Sequence, residues 1–74
     1  MKKQYNEIND SVTIDFEVPE ALRYLMEEAE EADIKNDGSY FNLADTIDTV
    51  SKNCCADGFI SESQWNTINR RYPQ

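Results

Sequence analysis

Residues 40–54, YFNLADTIDTVSKNC, decide the fold that the sequence predicts. Apolar side chains recur there every three or four residues, at Tyr40, Leu43, Ala44, Ile47, Val50 and Cys54. This spacing places them in one stripe along an α-helix, with polar residues on the other side. A helix with such a stripe needs apolar surfaces to pack against, so the flanking segments are expected to supply them.

The segment before this stretch has a helical pattern of its own. Pro19 is suited to the first turn of a helix, because its missing N–H is not needed there. The apolar residues that follow keep helical spacing, at Ala21, Leu22, Leu25, Met26, Ala29 and Ala32. The turn residues Asn36, Asp37 and Gly38 then separate this helix from the next one.

The segment after residues 40–54 carries the strongest helix start in the chain. Ser61 and Gln64 have the spacing of a capping box. Trp65, Ile68 and Tyr72 form an apolar face behind it, and Pro73 ends the helix. The sequence therefore predicts a mainly α fold, with three short amphipathic helices over about residues 19–33, 40–54 and 62–72. Short connections between them predict antiparallel neighbours.

An N-terminal β-strand or hairpin is expected over about residues 11–18. Val12, Ile14, Phe16 and Val18 alternate there with polar residues, which is the period of a half-buried strand. Such a strand needs backbone partners. It could pair with residues 3–8 across an Asn9–Asp10 turn, with the same strand in a homodimer, or with an edge of another protein. Residues 1–10 are otherwise expected to be loosely ordered.

Composition predicts one small domain over residues 1–74 and limits its partners. The formal net charge of −8 disfavours binding to nucleic acid and to anionic membranes. The chain has no apolar run long enough to cross a bilayer and no signal segment at its start. A cytoplasmic location is therefore expected, with no membrane association.

Residue types that carry catalysis or hold metals are scarce. The chain has no histidine and only two glycines, so neither His-based acid–base chemistry nor a glycine-rich phosphate loop is expected. Two Asp-Gly turns resemble calcium loops in their turn chemistry, but both lack the closing carboxylate. The adjacent Cys54 and Cys55 are expected as reduced thiols. We therefore expect no enzyme, no cofactor and no metal site.

Acidic residues on the first two helices are the best candidates for a functional surface. They are Glu27, Glu28, Glu30, Glu31 and Asp33, joined by Asp45 and Asp48. Clustered carboxylates can imitate the phosphates of a nucleic acid and speed encounter with a basic groove. The sequence thus favours a small protein-interaction domain, an inhibitor or nucleic-acid mimic, that binds a basic protein surface.

Two alternatives remain open. One is a structural domain without separable activity, in which the acids form only a solvated face. The other is a small DNA-binding regulator that uses helices two and three and the cations Arg70 and Arg71. The start of the third helix argues against DNA binding, because Ser61, Glu62 and Ser63 stand where basic residues would be needed.

Three segments together carry a family resemblance: VPEALRYLMEEAEEAD (residues 18–33), the middle amphipathic helix, and DGFISESQWNTINRRY (residues 57–72). This combination resembles small acidic proteins of unknown function that phages and mobile elements encode. Some members of that group are similar to inhibitors of host defence that imitate nucleic acid. The resemblance implies a protein-binding role, and it assigns no role to any individual residue.

Overall fold

Three helices make up the regular structure of the protein. The structure, a computed structural model, describes residues 5–73, in which α1 spans Glu20–Ile34, α2 spans Ser39–Ala56 and α3 spans Glu62–Arg71. The predicted mainly α fold is confirmed. Helices α1 and α3 each pack against α2, but no Cα atom of α1 lies within 8 Å of one in α3. Helix α2 is therefore central, and the space between α1 and α3 is left for another part of the chain.

Helix α2 turns the predicted apolar stripe into the centre of the core. Tyr40, Ala44, Ile47 and Cys54 are buried along it. Ser51 is buried on the same face, where its hydroxyl donates to the Asp48 carbonyl oxygen (3.0 Å) and so needs no outside partner. The other buried apolar residues are Ile8, Leu22, Met26, Ala29, Ala32, Ile60, Ile68 and Tyr72.

The first two helices end in the same way. After α1, Asn36 takes a positive φ of 55°, and the N–H groups of Asn36 and Asp37 reach back to the carbonyls of Asp33 and Ala32. After α2, Gly58 takes a φ of 85°, and the same two bonds recur from Gly58 and Phe59. Both are Schellman motifs, which satisfy the last helical carbonyls and turn the chain sharply.

The beginning of α3 has the predicted capping box. The Ser61 hydroxyl accepts from the Gln64 N–H (3.1 Å), and the Gln64 side chain accepts from the Ser61 N–H (2.8 Å). The starts of α1 and α2 are simpler. Pro19 and Gly38 are their N-caps and make no side-chain cap bond. Instead, the Asp37 carboxylate accepts from the Ser39 N–H (3.0 Å).

The predicted β-strand or hairpin over residues 11–18 is wrong. Residues 5–19 contain no strand, although burial alternates over residues 11–18 as the pattern required. Val12, Ile14, Phe16 and Val18 are half-buried there, and the residues before each of them are exposed. A turn does form, since the Val12 N–H donates to the Asn9 carbonyl (3.1 Å), but the two sides of it do not pair. Helices bury the apolar side of this segment, and the described part of the chain offers it no second strand. A homodimer built on strand pairing loses its basis with the strand.

Two further expectations concern the order of the N-terminal residues and the crossing of a membrane. For residues 1–4, loose order is an expectation that lies outside the described residues. Residues 5–9, in contrast, have defined contacts with α1 and α3. None of the helices between residues 5 and 73 combines the length and the apolarity that crossing a membrane requires.

Candidate functional site on α1 and the N-terminal segment

The carboxylate of Asp33 holds the N-terminal segment against α1. Asp33 is only 2% exposed, and it accepts hydrogen bonds from the N–H groups of Asn6 (2.9 Å), Glu7 (2.9 Å) and Ile8 (3.0 Å). The Asn6 side-chain amide also donates to the Asp33 carbonyl oxygen (2.6 Å). A buried carboxylate is strongly disfavoured without donors, and three successive backbone N–H groups supply them here. We name residues 5–12 the strap.

Arg71, the last residue of α3, holds the other end of the strap. Its Nη1 donates to the Val12 carbonyl (2.7 Å), and its own carbonyl accepts from the Asn9 N–H (2.9 Å). The side chain is 12% exposed, and its guanidinium lies between the rings of Tyr5 and Tyr72, at 5.7 and 5.5 Å from their centroids. The strap thus joins α1 to α3, whose backbones do not approach each other closely.

Glu30 completes this polar cluster. Its Oε2 accepts from the Tyr72 hydroxyl (2.8 Å) and lies 3.6 Å from Arg71 Nη2, while its Oε1 accepts from the Tyr5 hydroxyl (3.4 Å). Burial, followed by the Glu30 charge, raises the pKa of Tyr5. Burial also raises the pKa of Tyr72, and the Glu30 carboxylate adds to that shift. Both phenols therefore stay protonated and remain donors to Glu30.

Arg71 is charged throughout the accessible pH range. Burial alone would lower the pKa of Arg71, but its hydrogen bond to the Tyr72 hydroxyl and the Glu30 charge raise it overall. Because Arg71 is occupied by the strap and by Glu30, it is not a free cation that could contact phosphate. This arrangement weakens the DNA-binding alternative, which relied on Arg70 and Arg71.

The helical spacing of the sequence indicates that Asp33 is buried, although Asp33 follows a run of acidic residues that are mostly on the surface. Leu22, Met26 and Ala29 form the buried stripe of α1, and Asp33 follows Ala29 at the next position of that stripe. An acid on a buried helical face needs a specific partner. Composition alone placed Asp33 among the surface acids, although its position in the helical period assigns it to the core.

Three other predicted acids lie on the outer surface of α1. Glu27 and Glu31 are exposed and Glu28 is half-buried. Tyr24 (61% exposed) and Ile34 (41% exposed) flank them at helical spacing. We name Tyr24, Glu27, Glu28, Glu31 and Ile34 the acidic face.

Two cations border the acidic face: Arg23, which lines the same surface hollow as Tyr24 and Glu27, and Lys35, which pairs with Glu31. The Lys35 Nζ lies 2.8 Å from Glu31 Oε1, and this contact lowers the pKa of Glu31. Both side chains are highly exposed, so the pair contributes little to stability and water or a partner can replace it. The acidic face therefore keeps a net negative charge.

The two predicted acids on α2 lie apart from the acidic face. Asp45 is exposed. Asp48 Oδ1 accepts from the side-chain nitrogen of Asn69 on α3 (2.8 Å). The side-chain oxygen of Asn69 accepts from Trp65 Nε1 (3.2 Å), and the Asn69 amide is oriented to satisfy both contacts. The side of α2 that borders Glu28 and Glu31 carries Leu43. Asp48 lies five residues after Leu43, which places it about 140° away around the helix. The seven predicted acids divide into the buried Asp33 and half-buried Glu30 beside the strap, three acids on the acidic face of α1, and two separate acids on α2.

An open groove of about 500 Å³ runs beside the strap. Ile14, Phe16 and Val18 line one wall, and Met26, Glu27 and Glu30 line the wall formed by α1. Glu27 belongs to both the groove and the acidic face. A segment that crosses the acidic face could therefore also contact apolar side chains in the groove.

Other site chemistry finds little support between residues 5 and 73. No group of three His, Cys, Asp or Glu side chains comes together there as metal ligands. Asp37 of the first predicted calcium-like loop caps α2 instead. Cys54 and Cys55 are free thiols, and burial raises the pKa of the Cys54 thiol, which makes it a poor nucleophile.

Comparisons with protein-family models, with curated proteins and with solved structures give no match to this chain. The resemblance to small acidic phage and mobile-element proteins therefore stays a prediction. Function has to be argued from the residues of the chain itself.

Proposed function

We propose that this protein is a small, non-catalytic interaction domain of the cytoplasm that binds a lysine- and arginine-rich surface of another protein through the acidic face of α1. The observation that carries the proposal is the composition of that face. Glu27, Glu28 and Glu31 lie between the exposed apolar side chains of Tyr24 and Ile34.

The combination of charge and apolar area supports binding more strongly than charge alone. A helix face that only keeps a protein soluble needs no exposed aromatic or branched aliphatic residues. Tyrosine is enriched in interfaces because its ring adds contact area and its hydroxyl adds a polar contact. The nearby Glu28 carboxylate raises the pKa of Tyr24, so the Tyr24 hydroxyl stays a neutral donor.

The electrostatics of the face select for a basic partner. Like charges on one helix face destabilise that helix modestly, and a partner that brings lysine or arginine relieves this repulsion. Carboxylates also accelerate association with a basic surface, and the acceleration weakens as salt is added. Binding is therefore expected to be fast and sensitive to salt.

A matched pair of charge-reversal variants tests the proposal. The probe is a fluorescent basic amphipathic peptide that carries lysine and leucine, and binding is measured by anisotropy at low and at physiological salt. The triple variant E27K/E28K/E31K is compared with D15K/E17K/D45K, which changes three exposed acids elsewhere and has the same formal net charge.

The two variants separate a specific face from overall charge. We expect E27K/E28K/E31K to lose at least tenfold in affinity, and D15K/E17K/D45K to lose about twofold. Equal losses in both variants would mean that only total charge attracts the peptide. In that case, the acids of α1 are a solvated face and the proposal is wrong.

A further inference from the structure

The strap is attached mainly by polar contacts to backbone atoms. Asp33 binds three of its N–H groups, and Arg71 binds the Val12 carbonyl and the Asn9 N–H. Of its apolar side chains only Ile8 is fully buried, since Tyr5 and Val12 are half-buried. Segments with few buried apolar contacts open at lower free energy than a core helix does.

The three helices keep their packing partners without the strap. The α1–α2 and α2–α3 contacts are made directly, and Tyr40, Ala44 and Ile47 of α2 are central to the core. No hydrogen bond joins residues 13–18 to another described residue, so the link between strap and α1 can change direction without breaking one. The strap can therefore leave while the helices stay together.

Leaving would uncover two carboxylates, of which Glu30 lies beside the acidic face and Asp33 lies on the opposite side of α1. Asp33 is fully buried under the strap, and Glu30 is 24% exposed and bonded to the strap residue Tyr5. Glu30 and Glu27 also line the same surface of α1 as Glu31 and Ile34. Detachment would thus free the Glu30 carboxylate from the Tyr5 hydroxyl at the edge of the acidic face.

We propose that the strap is a releasable cover, which detaches from Asp33 and Arg71 without unfolding the helices and thereby enlarges the acidic face by Glu30. The release itself stands on the contacts of the strap. The effect on binding rests on the function proposed above. The two parts need separate measurements.

Native-state hydrogen exchange tests the release. The amides of Asn6, Glu7 and Ile8 are compared with those of Ala44 and Ile47 in the unaltered protein at increasing low concentrations of denaturant. We expect the strap amides to exchange at least tenfold faster, with rates that hardly depend on denaturant, because local opening exposes little surface. Equal rates with equal denaturant dependence would show that the strap opens only when the whole protein unfolds, and would overturn the proposal.

A variant pair tests the unmasking. Ile8→Ala weakens the strap without changing an acid, and Ile60→Ala is a matched loss of a buried isoleucine away from the strap. With the same fluorescent peptide, we expect Ile8→Ala to bind about threefold more tightly than the unaltered protein, consistent with one added carboxylate contact. Ile60→Ala should bind as the unaltered protein does. Adding Glu30→Gln to Ile8→Ala should remove most of the gain in affinity.

The outcomes distinguish the two proposals. If the peptide binds the unaltered protein and Ile8→Ala shows no gain while its strap amides exchange faster, the strap opens but does not mask a binding surface. If the peptide binds neither protein, the proposed function and the unmasking both fail, and the exchange result on strap release is unaffected.

Discussion

Helix α2 and the N-terminal segment both carry a regular apolar pattern, and the chain uses the two patterns differently. In α2, every turn of the stripe is buried and the backbone satisfies its own hydrogen bonds. In residues 11–18, alternate side chains are half-buried, but no strand within residues 5–73 completes the backbone. A periodic pattern reports which side of a segment is covered. It does not report what holds the backbone in place.

The same comparison separates two kinds of stability. Helix α2 is held by apolar packing that involves both other helices, so its loss is the loss of the fold. The strap is held mainly by one carboxylate and one guanidinium that bind its backbone atoms, with smaller contributions from the side chains of Tyr5, Asn6 and Ile8. The backbone contacts are independent of the strap's own side chains, which explains why the sequence of the strap gives little indication of its position.

Truncation at the centre of α2 should produce the largest effect. Ile47→Ala removes a fully buried side chain from the stripe, and we expect the free energy of unfolding to fall by about 3–4 kcal/mol. Chemical denaturation followed by circular dichroism measures it. A loss below about 1 kcal/mol would mean that α2 is not the centre of the core.

Removing the Asp33 carboxylate, which binds the strap, should have a smaller and more local effect. Asp33→Ala leaves three N–H groups without their acceptor, and we expect a loss of about 2–3 kcal/mol. Because the freed strap can turn its amides to water, helix content should be unchanged. Asp45→Ala is the control, since Asp45 is exposed, and should change stability by less than about 0.5 kcal/mol. Equal effects of the two substitutions would contradict the buried role of Asp33.

Tyr40, which belongs to the α2 stripe, links the two regions through its ionisation. Burial, with smaller effects from the charges of Asp33 and Glu7, raises the pKa of Tyr40 to about 12. Its ordinary pKa in the unfolded chain is about 10. Because folding raises this pKa, neutral Tyr40 contributes fully to the free energy of unfolding below about pH 10. This contribution is lost as the pH rises toward 12. The melting temperature should therefore fall over that range.

A phenylalanine variant gives this alkaline prediction its test. Tyr40→Phe loses the hydrogen bond from the hydroxyl to the Pro73 carbonyl (2.9 Å), at a cost of about 1 kcal/mol at neutral pH. The variant should lose less stability than the unaltered protein between pH 10 and 12, measured as melting temperature against pH. Tyr24→Phe, at an exposed site whose pKa is raised less, should change the pH dependence less than Tyr40→Phe does. If Tyr40→Phe and the unaltered protein decline in parallel, Tyr40 is not the group responsible.

Local signals in the sequence were sufficient for the helices. The stripe from Tyr40 to Cys54, the capping box at Ser61 and Gln64 and the turn at Asn36–Gly38 each depend on neighbours within a few residues. The error over residues 11–18 arose because a strand needs a distant partner, and alternation cannot reveal whether one exists. A contact with a helix buries one side of an extended segment equally well.

The candidate site was only partly predictable for the same reason. Exposed Glu27 and Glu31 were expected from composition and spacing. The roles of Glu30, Asp33 and Arg71 depend on the strap, whose position involves contacts between residues that are far apart in the chain. The helical spacing of the sequence was sufficient to predict that Asp33 is buried, but it could not predict which groups Asp33 binds.

The central claim is that residues 5–12 lie as a strap between α1 and α3, with their backbone bound by Asp33. Nuclear Overhauser effects in the isotope-labelled protein test it most directly. We predict contacts from the amide protons of Asn6, Glu7 and Ile8 to the β protons of Asp33, with no cross-strand contacts between α protons over residues 11–18. Cross-strand contacts, within one chain or between a labelled and an unlabelled copy, would contradict the account.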